Sequence, residues 1–224
     1  MAIQKFDELF TNTLVPQFCD DPSRNFGDSA FKRDWHDKIS DTDATDFLRA
    51  FDGELIRHSG RGQYLAARSS AKEQFFSSGS RAVSPRPFYL WVEPIITVAV
   101  LARLHFDHDW PKHLLGMQSK CGAFDFMAFG SADTANEYIA GEVKKTLKEL
   151  EMMITTMIKF GNEPSLAPAS REVNSYKKVV ALRNRRPPIF WAVGPAASNF
   201  AFRMEYGESG SVIFHSRSPD ILRY

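Results

Sequence analysis

The chain has 224 residues, 43% of them hydrophobic and 25% charged, a balance that suits a globular protein and excludes a fibrous or wholly disordered one. Lys and Arg number 28 against 27 Asp and Glu, so the net charge is +1 and no whole-molecule basic field exists to hold nucleic acid; such a grip must come from local patches. Cys19 and Cys121 form neither a disulfide framework nor a C-x-x-C pair, the opening MAIQKFDELF lacks an apolar signal core, and the longest apolar run, 95–102, is too short to span a bilayer, so a cytoplasmic chain with no membrane association is expected.

In chain order, residues 3–14 carry apolar positions at 3, 6, 9, 10 and 14, the spacing of an amphipathic helix. The stretch CDDPSRNFGDS is rich in turn formers. Residues 45–57 are again spaced as a helix, which the Gly60-Arg61-Gly62 run ends, and 77–87 reads as a loop or linker with two prolines. These first 87 residues form a mainly helical and loop segment.

The pattern sharpens from residue 88. A short aromatic run, 88–92, leads to Pro94 at the first turn of an apolar helix over 95–108, with Pro111 marking its end. Residues 123–129 and 138–144 alternate as two strands of a hairpin around the polar loop GSADTANE. Thr146 and Glu149 have capping-box spacing, and Leu147, Leu150, Met153, Ile154, Met157 and Ile158 form one stripe of a helix that Gly161 stops. A helix over 173–182, a buried strand over 189–194 and a last hairpin, 199–206 with 212–216, complete the order α-β-β-α-α-β-β-β. The expected fold class is α/β, a central mixed sheet flanked by helices, in a domain spanning 88–224.

The chemistry gathers on the first hairpin. Glu142 and Lys144 are two apart on one strand and share a face, while Val143 points into the apolar layer. Asp125, among Ala123, Phe124, Phe126 and Met127, is an unusual place for a carboxylate. An Asp and a Glu on neighbouring strands crowd two negative charges, which is costly unless a cation neutralises them or one stays protonated. A hard divalent ion, Mg²⁺ or Mn²⁺, suits two carboxylates with the Val143 carbonyl as a third oxygen, and Lys144 would face the same cavity, ready to position a water or neutralise a phosphate.

Asp125, a loop, then Glu142-Val143-Lys144 resembles the PD-(D/E)xK nuclease superfamily, with Phe124 where the family name has proline. The resemblance covers about residues 88–216. It implies a restriction-endonuclease-like core, metal-dependent hydrolysis of phosphodiester bonds (most often of DNA), and roles in restriction, phage defence or DNA repair. It also implies a further acid from the helix before the hairpin, for which Glu93 is the candidate. Lys145 and Lys148 on the following helix match the family's basic helix, and Lys177, Lys178, Arg183, Arg185 and Arg186 form the richest local basic cluster for a phosphate backbone.

Other readings stay beside this one. The His105, Asp107, His108, Asp109 and His113 run has the residue types of a zinc site but lacks thiolates or a further spaced pair. Gln118 and Ser119 are candidates to contact phosphate or to form a turn, and Arg61, Arg68 and Lys72 could extend the basic surface. No G-x-S-x-G elbow, phosphate-binding P-loop or dinucleotide-binding glycine pattern occurs, which argues against a serine hydrolase, a P-loop enzyme and a Rossmann dehydrogenase. The rival function is a non-catalytic nucleic-acid-binding or protein-docking module of a larger assembly, with residues 1–87 meeting a partner protein or a second copy of the chain.

Overall fold

The computed structural model describes residues 2–34 and 37–224; its first elements are α1 (Ala2–Leu9), a π-helical turn over Phe10–Leu14, and α2 (Val15–Cys19). Strand β1 (Phe31–Lys32) precedes α3 (Asp41–Asp52), which Ser40 caps by accepting the Asp43 N–H, with Asp41 and Asp43 favourable in the first turn. Short strands follow: β2 (Arg57–His58), β3 (Gln63–Leu65), β4 (Glu73–Gln74), β5 (Phe76–Ser78) and β6 (Phe88–Leu90). They form two three-stranded sheets, ordered β1-β6-β5 and β2-β3-β4.

The larger sheet is built from the second part of the chain. After α4 (Val92–Ala102) come β7 (Leu115–Met117), β8 (Phe126–Phe129), β9 (Glu137–Val143), α5 (Leu147–Asn162), α6 (Val173–Arg185), β10 (Ile189–Val193), β11 (Asn199–Tyr206) and β12 (Val212–Arg217). The sheet order is β12-β11-β10-β9-β8-β7, antiparallel throughout except for the parallel pair β9 and β10, which the α5–α6 crossover joins. The fold is therefore mixed α/β with helices on both faces of a mixed sheet.

Alternation along β10 shows how the layers separate. Ile189, Trp191 and Val193 face a core shared with α3, α4 and the N-terminal helices, while Phe190 and Ala192 face a second core with Leu150, Met153, Met157, Val179 and Leu182 of α5 and α6. On β9, Val143 and Ile139 join the first core and Ala140 the second, so Glu142 and Lys144 lie on the α5–α6 side, as their spacing requires.

Several boundaries differ from the sequence expectation, for local reasons. The first hairpin strand starts at Phe126 rather than 123, because Cys121 and Gly122 take left-handed backbone angles (φ 62° each) and curl the chain just before it. Strand β7 carries no alternating pattern, since all three of its residues are buried. Helix α3 begins four residues earlier than its apolar spacing suggests and stops at Gly53, leaving Leu55 and Ile56 to fill the core from the loop. Of the 77–87 stretch, Ser77 and Ser78 belong to β5 and 79–87 is the hairpin loop to β6, not a linker.

The first 87 residues are mostly helix and loop, with five short strands added. They do not pack separately. Residue 31 pairs with residue 88 across β1 and β6, and the core that holds Phe6, Phe10, Phe18 and Phe47 also holds Leu115, Val143 and Trp191. Those four phenylalanines are fully buried, so the N-terminal segment is part of the same core as the sheet. Among the described residues no helix is long and apolar enough to cross a membrane.

Candidate active site

The site lies at the C-terminal end of β9, where that strand runs parallel to β10 and the Lys144 N–H donates to the Val193 carbonyl (3.0 Å). Asp125 sits one residue before β8. Its own N–H donates to the Gly141 carbonyl (3.0 Å), and its Oδ2 accepts the Val143 N–H (2.8 Å), which fixes the carboxyl against β9. Glu142 is 2% exposed. Its Oε1 is 2.8 Å from Lys144 Nζ and its Oε2 is 2.6 Å from Lys178 Nζ, which reaches in from α6. Lys144 Nζ also donates to the Val143 carbonyl (2.7 Å) and stands 3.9 Å from Glu93 Oε1 in the first turn of α4. Asp125, Glu142, Lys144 and Glu93 are thus brought together.

The electrostatics follow from crowding. Burial, and then the charge of Glu142, pushes the Asp125 carboxyl up to about 8, although Lys178 and Lys144 pull the other way. Burial would lower the Lys144 ammonium, but Glu142 and Asp125 outweigh it and the net shift is upward. Asp125 therefore holds its proton far above the usual carboxylate range, and Lys144 stays charged. Nearby, Glu73 of β4 is buried and receives the Gln118 amide; burial raises its pKa, and the charge of Glu93 adds to the effect.

A cleft of about 890 Å³ opens over this cluster. Glu93, Glu142, Lys144 and Lys178 line it, and the exposed Lys145 and Lys177 stand on its wall; Asp125 does not reach its surface. Of the other basic residues singled out, Lys148 is exposed and outside the cleft lining. Arg183, Arg185 and Arg186 lie outside the cleft lining, and each has a partner of its own. Arg183 donates to the Phe160 carbonyl, Arg185 pairs with Glu137 (2.7 Å), and Arg186 donates to the Tyr206 carbonyl over that ring, so they fasten α6 to its neighbours. Arg61 pairs with Asp21, Arg68 donates to Ala132 and Thr134, and Lys72 donates to Ser59, all outside the cleft.

The remaining candidates take structural parts. Ser119 Oγ accepts the Phe124 N–H and shapes the turn before β8. In the histidine run, His105 Nδ1 meets the Trp110 carbonyl (2.7 Å), and Asp107 pairs with Arg49 (2.7 Å). Among the described residues, no three His, Cys, Asp or Glu side chains stand grouped to hold a metal. The sequence reading placed Lys178 on a basic surface and missed its place beside Glu142. The signal was there: Lys178 lies four residues before Leu182, on the inward side of α6, whereas Lys177 points out.

The donor set suits a hard divalent ion in type: two carboxylates and the Val143 carbonyl are oxygens, and the burial and the Glu142 charge that raise the Asp125 pKa are costs a cation relieves. Both Glu142 oxygens and the Val143 carbonyl meanwhile hold ammonium groups, so a cation would have to displace one. Comparison of the chain with protein-family models, with curated proteins and with solved structures gives no match.

Proposed function

We propose that the chain is a Mg²⁺- or Mn²⁺-dependent nuclease of the PD-(D/E)xK kind, hydrolysing phosphodiester bonds, with DNA the favoured substrate. The observation that carries this reading is the convergence of Asp125 and Glu142 from neighbouring chain segments with Lys144 beside a cleft. Asp125, Glu142 and the Val143 carbonyl would hold the cation, which supplies Lewis-acid polarisation of a phosphoryl oxygen and a more acidic water. Lys144 holds an ammonium where it can orient a nucleophilic water or neutralise charge that builds on the phosphate. Glu93 stands 3.9 Å from that ammonium and adds to its negative surroundings. Lys145 and Lys177, exposed on the cleft wall, supply the local positive charge that a near-neutral chain needs to attract a phosphate backbone. Restriction, phage defence and DNA repair are the settings such chemistry serves.

Plasmid DNA incubated with the protein and Mn²⁺ tests this. Cleavage by the native chain and its loss in both Glu142→Gln and Lys144→Ala is the expected result; cleavage that survives in both variants removes the assignment.

One observation favours a second reading, a non-catalytic binding module. With each oxygen of Glu142 paired to a lysine, the cluster is already neutralised without a cation. Calorimetric titration with Mn²⁺ separates the two: a module of this kind takes up none.

A further inference from the structure

Lys178 differs from every other basic residue of α6. Its ammonium reaches Glu142 Oε2 at 2.6 Å and the Ala123 carbonyl at 3.3 Å, and its side chain is 15% exposed on the cleft wall. Val179 and Leu182 are fully buried, so the backbone of α6 is fixed and the flexible four-carbon stem is the part free to move. The two oxygens it joins, one carboxylate and one backbone carbonyl at the edge of a cleft, are donor types that a hard cation takes. Lys144 is held more firmly, with Glu142, the Val143 carbonyl and Glu93 all around it. Of the two ammonium groups on Glu142, Lys178 is the one with fewer acceptors.

We propose that Lys178 is a stand-in cation. In the cation-free protein its ammonium occupies the Glu142 oxygen that a divalent ion takes, and binding of the ion turns the side chain out into the cleft beside Lys177. The same exchange would carry a positive charge from the carboxylates to the place where a phosphodiester backbone lies. This inference rests on the cation-dependent reading of the site. Lys178 is a positioning residue in it and touches no reacting atom.

Isothermal titration of the full chain with MnCl₂ alone tests it. Lys178→Met should bind Mn²⁺ at least about tenfold more tightly than the native protein, since the ion no longer has to displace a paired ammonium. Lys177→Met, which removes an exposed and screened charge from the same cleft, should change affinity by less than about twofold. Equal affinity in the native protein and Lys178→Met, or the same tightening in Lys177→Met, overturns the proposal and leaves the nuclease reading standing. Absence of Mn²⁺ binding in every form sinks both. A second measurement needs no variant: acetylation of Lys178 in the native chain, read by peptide mass spectrometry, should rise severalfold when Mg²⁺ is added. An unchanged rate in a protein that binds the ion also overturns the proposal.

Discussion

Asp125 Oδ2 accepts the backbone N–H of Val143 at 2.8 Å, so the acid from one hairpin arm is tied to the arm that carries Glu142 and Lys144. This bond holds the carboxyl against β9, close to Glu142, and its consequence is measurable as a pH dependence of stability.

Asp125 ionises near 3.8 in an unfolded chain and at about 8 in the folded one, burial being the first cause and Glu142 the second. Between those values the folded state keeps a proton that the unfolded state has shed. Its contribution to stability is therefore largest at low pH and declines as pH rises towards 8. Asp125→Asn retains a carbonyl to accept the Val143 N–H and removes the titration. In metal-free buffer its melting temperature should gain on the native protein by roughly 10 °C between about pH 5 and pH 8. A difference that stays constant over that range contradicts the electrostatic picture.

Glu142 is the shared counter-ion of two lysines whose side chains are 22% and 15% exposed. Glu142→Ala leaves both ammonium groups without that partner; ionisation of Asp125, and Glu93 beside Lys144, offset part of the loss. The expected cost is about 2 kcal/mol in urea denaturation near neutral pH, below the full penalty for breaking a buried pair because Asp125 takes over part of the role. A cost under about 0.5 kcal/mol, the scale of an exposed pair, would show that the pairs contribute nothing to the fold.

The parts of this site that could be read from the sequence are those governed by strict periodicity. Residues 142 and 144 share a face because a strand repeats every two residues, and Thr146 caps α5 because its side chain accepts the Glu149 N–H. The stripe of α5 through Leu150, Met153, Ile154 and Met157 and the last hairpin are legible for the same reason, although Leu147 is exposed and the helix runs through Gly161 to Asn162. What could not be read depends on long-range placement. Strand β7 is buried on both faces and shows no alternation, and the short strands before residue 87 are too brief to carry a pattern. Arg185 is close in sequence to Lys178, but its partner, Glu137, is 48 residues away. A basic cluster in a linear sequence thus divides into a site residue and structural anchors only when the neighbouring elements are in place.

Gly141 makes the approach of the two hairpin arms possible. It is paired in register with Phe126, and a Cβ built on it would overlap the Phe126 ring at three of its carbons. Phe126 is fully buried and cannot swing aside without opening the first core. Gly141→Ala should therefore cost about 3 kcal/mol or more by urea denaturation. Because the Gly141 carbonyl also holds the Asp125 N–H, the substitution should disturb the site as well. Adding Phe126→Leu, which removes ring atoms at the clash, should recover part of the loss. If the double variant is as unstable as the sum of the two single changes, the contact is not the cause.

The N-terminal segment is joined to the sheet domain by a buried charge network as well as by apolar packing. Arg103, just past α4, bonds Asp43 at 2.6 Å and Asp46 at 2.7 Å, both on α3, and Asp43 also accepts the Ala196 N–H at 2.7 Å. All three charged side chains are almost fully buried. Arg103→Met would remove the buried cation that the two carboxylates share, leaving Asp46 with Arg49 alone (2.9 Å), a change expected to cost about 3 kcal/mol. Since α3 and α4 share one core, the loss should lower the midpoint of a single urea transition for the whole chain, followed by circular dichroism and by tryptophan fluorescence alike. Two separate transitions, with only the first shifted by Arg103→Met, would mean that residues 1–87 fold as an independent unit and that the shared core does not couple them.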